Sequence, residues 1–171
     1  MSMDIVLLCV FPIMVAFGAS SDLVTMTIPN RLSLVMIAGF VLVAILIQMP
    51  LATFGMHLAA GITMLAISFC CFALGGCGGG DAKLAAAVAL WFGFSDLLNY
   101  VLNFMLLGGT LGIGILYWRT LTVPLFLMKI HWIQRLHNSK AGVPYGIALG
   151  MGALMMYPET AIWNAIAHAN V

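Results

Sequence analysis

The sequence predicts an all-α membrane protein of six transmembrane helices, with both termini on one face and an interfacial helix between spans five and six. Three observations carry that prediction. Only 6% of the 171 residues are charged while 64% are apolar, against roughly 25% charged in a soluble domain. The apolar residues gather in blocks suited to a bilayer, whose hydrocarbon core needs about 20 helical residues to cross. Every lysine and arginine also falls in segments that six alternating spans place on the same side.

The spans, in order, are 5–19, 32–48, 56–74, 82–94, 97–118 and 145–157 with some extension. The first follows Asp4 with no basic residue ahead of it, so it reads as a membrane helix rather than a cleaved export signal. Beyond it, the stretch from Ser21 to Ile28 is apolar enough for the helix to run a turn past Asp22. It must stop before Pro29, because the residue ahead of a proline disfavours helix. The third span ends in Gly75-Gly76-Cys77-Gly78-Gly79-Gly80, and Asp81 opens the fourth. Glycine ends helices and aspartate caps their starts, so this junction has a purely structural reading too.

Span four offers about 20 Å of helix against about 30 Å of hydrocarbon. With Trp91 and Phe92 at the outer interface, Asp81 and the glycine run would lie inside the membrane boundary. Irregular backbone at that depth is tolerated only when buried in protein or lining a wet cavity. In the last two spans, Gly108 with Gly112 and Gly146 with Gly150 have the spacing that lets membrane helices approach closely. Between those spans, residues 119–140 mix Phe126, Trp132 and Leu136 with Lys129 and Arg135. That pattern reads as a helix lying against the cytoplasmic leaflet, or alternatively as a small lid over a site.

Residues 1–171 form a single integral-membrane domain. Arg31, Lys83, Arg119, Lys129, Arg135 and Lys140 share one face, while Asp4, Asp96 and Glu159 lie at the other. Basic residues mark the cytoplasmic side, so both termini are expected outside. Net charge is +1 without a basic run, which gives nucleic acid no footing. Cys9, Cys70, Cys71 and Cys77 lack the spacing of a zinc site, and no metal or other cofactor is expected. Cys9, Cys70 and Cys71 read as small buried hydrophobes, with Cys77 in the glycine loop. His57, His131, His137 and His168 are scattered and read as structural.

The chemistry is then expected from Asp22 and Asp81. Ionisable groups at membrane depth are expensive, and each becomes a functional candidate. From Asp22 the chain crosses outward and returns, delivering Asp81 to the same face and depth. Two carboxylates in one damp cavity cannot easily both ionise, so they share a proton. In that state one takes a proton from water as it attacks a carbonyl, while its partner donates to the developing oxyanion. Glycines beside Asp81 would let an extended substrate strand approach the backbone.

Three pieces now form a recognisable set: Asp22 with Ile28-Pro29-Asn30, the GxGD-type run Gly78-Gly79-Gly80-Asp81 continuing as Ala82-Lys83-Leu84, and Val143-Pro144-Tyr145-Gly146 entering the last span. With them the chain resembles the type IV prepilin peptidases, aspartic intramembrane proteases, and in particular the short branch associated with tight-adherence (Flp) pili. The resemblance covers essentially the whole chain. It implies a multi-pass protein of the bacterial inner membrane, with periplasmic termini, that removes the short leader of prepilins or pseudopilins at the cytoplasmic face. Membrane lipids and the pilus assembly machinery are the further partners implied. The catalytic pair maps to Asp22 and Asp81, and active-site support or substrate binding to Pro29, Asn30, Gly78, Gly80, Lys83, Pro144, Tyr145 and Gly146. Larger members carry a cysteine-rich N-terminal domain associated with methylation that this sequence lacks, so methyl transfer is not expected.

Two rivals use the same residues. A small proton- or ion-coupled transporter or channel would employ the acids as a relay, which does not account for both lying at one face. A non-catalytic assembly subunit would use the glycine loop for packing alone.

Overall fold

The computed structural model describes residues 2–124, 126–139 and 141–167, with side chains from residue 5 onward. Lys140, His168 and the side chain of Asp4 lie outside the described residues. Among the described residues the chain is helical throughout, with no strand. Its helices are α1 (Ser2–Thr25), α2 (Asn30–Leu46), α3 (Leu51–Ala73), α4 (Gly79–Trp118), α5 (His131–His137), α6 (Gly146–Met156) and α7 (Ala161–Ala167). Three of them, α1, α3 and α4, are long and apolar enough to cross a membrane, and α2 is a shorter apolar helix.

Helix α4 is two helices joined at Gly93, whose φ of 68° and ψ of −177° break the helix. A positive φ there is open only to glycine without strain. Beside the break, the buried His57 donates from Nδ1 to the Leu90 carbonyl at 2.9 Å. Side-chain contacts show that the chain reverses at this point. Gly18 meets Leu84 and Phe11 meets Trp91, so residues 79–92 run antiparallel to α1. Gly146 meets Asp22 and Gly150 meets Ala19, so α6 also opposes α1. The phenol of Tyr145 meets Gly108 while Tyr100 donates to the Leu149 carbonyl at 3.4 Å, so residues 94–118 oppose α6. The segments 2–25, 30–46, 51–73, 79–92, 94–118 and 146–156 therefore alternate in direction.

The segment 79–92 is the hub of this arrangement. Leu84, Ala85 and Ala87 to Phe92 are all buried among α1, α2 and α3. Trp91 and Phe92 are fully enclosed by neighbouring side chains, and the Trp91 indole donates to the Met36 carbonyl at 3.0 Å. An aromatic cluster that sequence alone disperses over four helices collects there instead.

Helix ends follow local chemistry. Gly75, at φ 76°, closes α3: its amide reaches the Phe72 carbonyl and the Gly76 amide reaches that of Cys71 at 2.8 Å, the paired bonds of a Schellman cap. Gln48 closes α2 in the same way despite its side chain, and Met26 closes α1 through the Asp22 carbonyl.

Three expectations need correction. Among the described residues of 119–140 there is a 3-10 turn at Leu127–Lys129 and the two-turn α5 rather than one continuous helix, because the extended Ile130 separates them. Cys9, Cys70 and Cys71 are exposed on outer helix faces rather than buried, since an apolar surface in a membrane has no need to hide them. Gly112 approaches nothing, unlike Gly108. The extension expected beyond residue 157 is a 3-10 turn, Tyr157–Glu159, followed by α7, with Pro158 within the turn.

Candidate active site

Asp22 sits in the last turn of α1, which continues through Thr25 before its cap. The residue is only 5% exposed. Its Oδ2 accepts the backbone amide of Gly146 at 2.8 Å. Gly146 begins α6, so the carboxylate occupies the positive end of that helix and satisfies one of its orphan amides. A methyl group on Gly146 would lie within 3.0 Å of the Asp22 Cβ, Cγ and Oδ2. Only glycine permits this seat.

Asp81 sits in the first turn of α4, half-buried. Its Oδ2 accepts the amide of Gly78, the residue preceding the helix, at 3.3 Å. Here again a missing Cβ matters, because one on Gly78 would come within 2.8 Å of Oδ2. Gly80 rests on Ile28, with only 3.2 Å available between a Cβ there and that of Ile28. That contact brings the loop after α1 against the start of α4.

The two carboxylates, one on the first helix and one on the fourth, thus lie at the same end of the bundle, and each is seated on a helix N-terminus. Tyr145, which precedes α6, presses its phenol against Gly108. Phe104 braces that ring edge-on at 6.4 Å. Among the described residues no group of three or more His, Cys, Asp or Glu side chains converges on a common point.

The remaining predicted residues gather around this pair. Pro29 precedes α2 and fixes its start, with the Leu32 amide returning to its carbonyl at 3.0 Å. Asn30, the first residue of α2, accepts a hydrogen bond from the Lys83 ammonium at 2.8 Å. Pro144 is buried, and its carbonyl receives the Ile147 amide at 3.3 Å. Lys83 and Asn30 pair with each other rather than with either carboxylate.

Sequence reasoning missed three supports. Gly108 was legible only as a packing glycine, yet its open face holds the Tyr145 phenol. Arg135 donates to the Val24 carbonyl at 3.1 Å, tying α5 to the end of α1 beside Asp22. Arg119 gathers the carbonyls of Leu136, Ala141 and Gly142 at 2.9–3.0 Å, holding the segment that enters the Pro144-Tyr145-Gly146 turn. Basic residues near a membrane face have a sufficient explanation in topology, which hid these contacts.

Comparison with known proteins gives one family. The profile of the type IV leader peptidase family matches residues 9–113, a stretch that includes both acids, the glycine run and the Gly93 break. No curated protein and no solved structure matches the chain.

Proposed function

We propose a function from one premise: the chain belongs to the type IV leader peptidase family, and so is a peptidase associated with the membrane. Within that family we assign it as an aspartic endopeptidase that removes the short leader of type IV prepilins or pseudopilins, of the Flp type, at the cytoplasmic face of the inner membrane. The observation that carries the reading is the placement of Asp22 and Asp81: distant in sequence, at one end of the bundle, each on a helix N-terminus.

The chemistry follows from that pairing. One carboxylate removes a proton from water as the oxygen attacks the scissile carbonyl carbon. The protonated partner gives its hydrogen to the carbonyl oxygen as charge develops there. Collapse of the resulting diol breaks the C–N bond as the proton held by the first carboxylate passes to the departing amine and one diol hydroxyl returns its proton to the partner. Gly146 and Gly78 keep the acids in register, and the glycine run leaves room for an extended substrate backbone.

The alternating segments support six membrane crossings with both termini periplasmic. Arg31, Lys83, Arg119 and Arg135 lie at the acid-bearing end through their positions or contacts, as cytoplasmic basic residues should. Labelling of a cysteine placed at position 53 from the cytoplasmic side would overturn that orientation.

The test of function is processing of a co-expressed prepilin, read as a mobility shift. Asp22→Asn and Asp81→Asn should each abolish the shift while the protein remains membrane-inserted. Retained cleavage in either removes that residue from the mechanism. A transporter using the acids as a relay would give acid-dependent flux in liposomes and no peptide product.

A further inference from the structure

Helices α2 and α3 both pack on residues 79–92, Met36 through its carbonyl on the Trp91 indole and Gly61 against Ala86 and Leu90. They have little contact with each other. An open cleft of about 380 Å³ is left between them, floored by Ala86, Ala87 and Leu90. Its walls are Leu34 and Ile37 on α2 with Leu58, Ile62 and Leu65 on α3, and all five are at least 41% exposed. From Lys83 to Leu90 it runs about 10 Å along the helix. Walls of this kind suit a hydrocarbon chain.

The cleft is polar at one end only. Asn30, Ser33 and Lys83 line it where α2 and the segment 79–92 begin. Lys83 gives one ammonium hydrogen to Asn30 and has two more to donate. No carboxylate pairs with it among the described residues. Asp81, two residues earlier on the same helix, lies on another side of it and accepts the Gly78 amide. Ser33 is 8% exposed, and its hydroxyl has no partner among the described residues. A buried hydroxyl left unpaired is costly and points to a polar neighbour that belongs there. An ammonium and a hydroxyl can both donate, so the group that completes them is an acceptor, and beside an ammonium an anion.

We propose that the cleft is a binding site for an anionic phospholipid. One acyl chain lies between Ile37, Leu58 and Ile62, and the phosphate accepts hydrogen bonds from Lys83 and Ser33. Basic pockets between membrane helices on the cytoplasmic side hold anionic headgroups by this combination. Free phosphate would use the polar end but leave the apolar walls uncovered. A helix of a second copy would cover the walls, yet it brings no anion to Lys83. Copies in one bilayer share an orientation, and Asp96, just past the Gly93 break, and Glu159, just past α6, lie at the other end. The site needs the membrane setting of the chain but not its peptidase activity.

Native mass spectrometry of the full-length protein in detergent tests the site. After delipidation, phosphatidylglycerol should add one molecule per chain about tenfold more tightly, or better, than phosphatidylcholine with the same acyl chains. Inorganic phosphate in excess should not displace it. Lys83→Gln and Ile62→Trp, which alter opposite features of the cleft, should each weaken that lipid about tenfold. Ile113→Trp, at a position 70% exposed on residues 94–118, should not. Ser33→Ala separates binding from folding: its unfolding midpoint should equal or exceed wild type without lipid and fall below it with phosphatidylglycerol. Equal affinity for the two lipids, displacement by phosphate, or the same loss in Ile113→Trp would overturn the proposal. A Ser33→Ala deficit of one size with and without lipid would overturn it too. A dimer that Ile62→Trp abolishes would give the cleft to a second copy instead.

Discussion

The two ends of the segment 79–92 are built on opposite principles. At the far end, Trp91 lies 5.0 Å from Phe11 and 6.0 Å from Phe40, Phe92 lies 5.1 Å from Tyr100, and Phe11 lies 4.6 Å from Tyr157. All six rings are at most 1% exposed. At the near end there are almost no large side chains, and Gly78, Gly80, Gly108 and Gly146 admit carboxylates, a phenol and Ile28 to close range. In a bilayer the lipid is as apolar as the core, so helices associate through packing rather than water exclusion. The aromatic end supplies that packing. It frees the other end to hold two acids and a run of glycine, none of which packs well, without loss of the bundle.

This division predicts that activity and stability respond to different residues. The largest effect is expected from the acids: Asp22→Asn or Asp81→Asn should lower the rate by about 10²–10⁴-fold or more, the range of a lost acid or base. Groups that act as a unit do not add, so the double variant should be no slower than the slower single one. An additive loss in prepilin cleavage assays would separate the two residues into independent roles.

Next in size is the aromatic end. Trp91→Ala removes a fully buried ring and the bond to Met36, and should cost about 3–5 kcal/mol of stability. Denaturation in detergent measures it, and turnover per folded molecule should stay near wild type. If turnover falls along with stability, the two ends are not separable. Smaller again is Gly146→Ala, whose methyl group must displace the Asp22 carboxylate. A shift of about 1 Å can cost about 100-fold in rate, with the unfolding midpoint moved far less than by Trp91→Ala.

The sequence disclosed these ends unequally. Asp22, Asp81 and the turn at Tyr145-Gly146 were legible because ionised groups and glycine runs are rare in apolar chains, and each has few structural excuses. The alternation of apolar segments was legible from hydropathy, and the reversal between residues 79–92 and 94–118 is made at Gly93. The aromatic cluster was not legible. Trp91 and Phe92 also suit a membrane interface, and nothing local states that Phe11, Phe40, Tyr100 and Tyr157 converge on them. Residues 119–140 misled for a related reason: their composition suits an interfacial helix, but Arg119 and Arg135 instead bind backbone carbonyls and fold the segment onto the bundle end.

The smallest predicted effect makes the sharpest use of the contrast. Gly108 and Gly112 share one helix and one motif, and by sequence they are equivalent packing glycines. Gly108 lies under the Tyr145 phenol, leaving no room for a methyl group, while nothing stands within 4 Å of a methyl group on Gly112. Gly112→Ala should therefore leave prepilin cleavage unchanged and raise stability slightly, by up to about 0.5–1 kcal/mol, the helix preference of alanine over glycine. Gly108→Ala should instead push the phenol out of its seat and lower the rate, and combining it with Tyr145→Ala should relieve the steric conflict without restoring activity. Equal behaviour of the two alanine variants would mean that Gly108 serves helix packing alone, and that the near end owes its geometry to something other than the close approach of Tyr145.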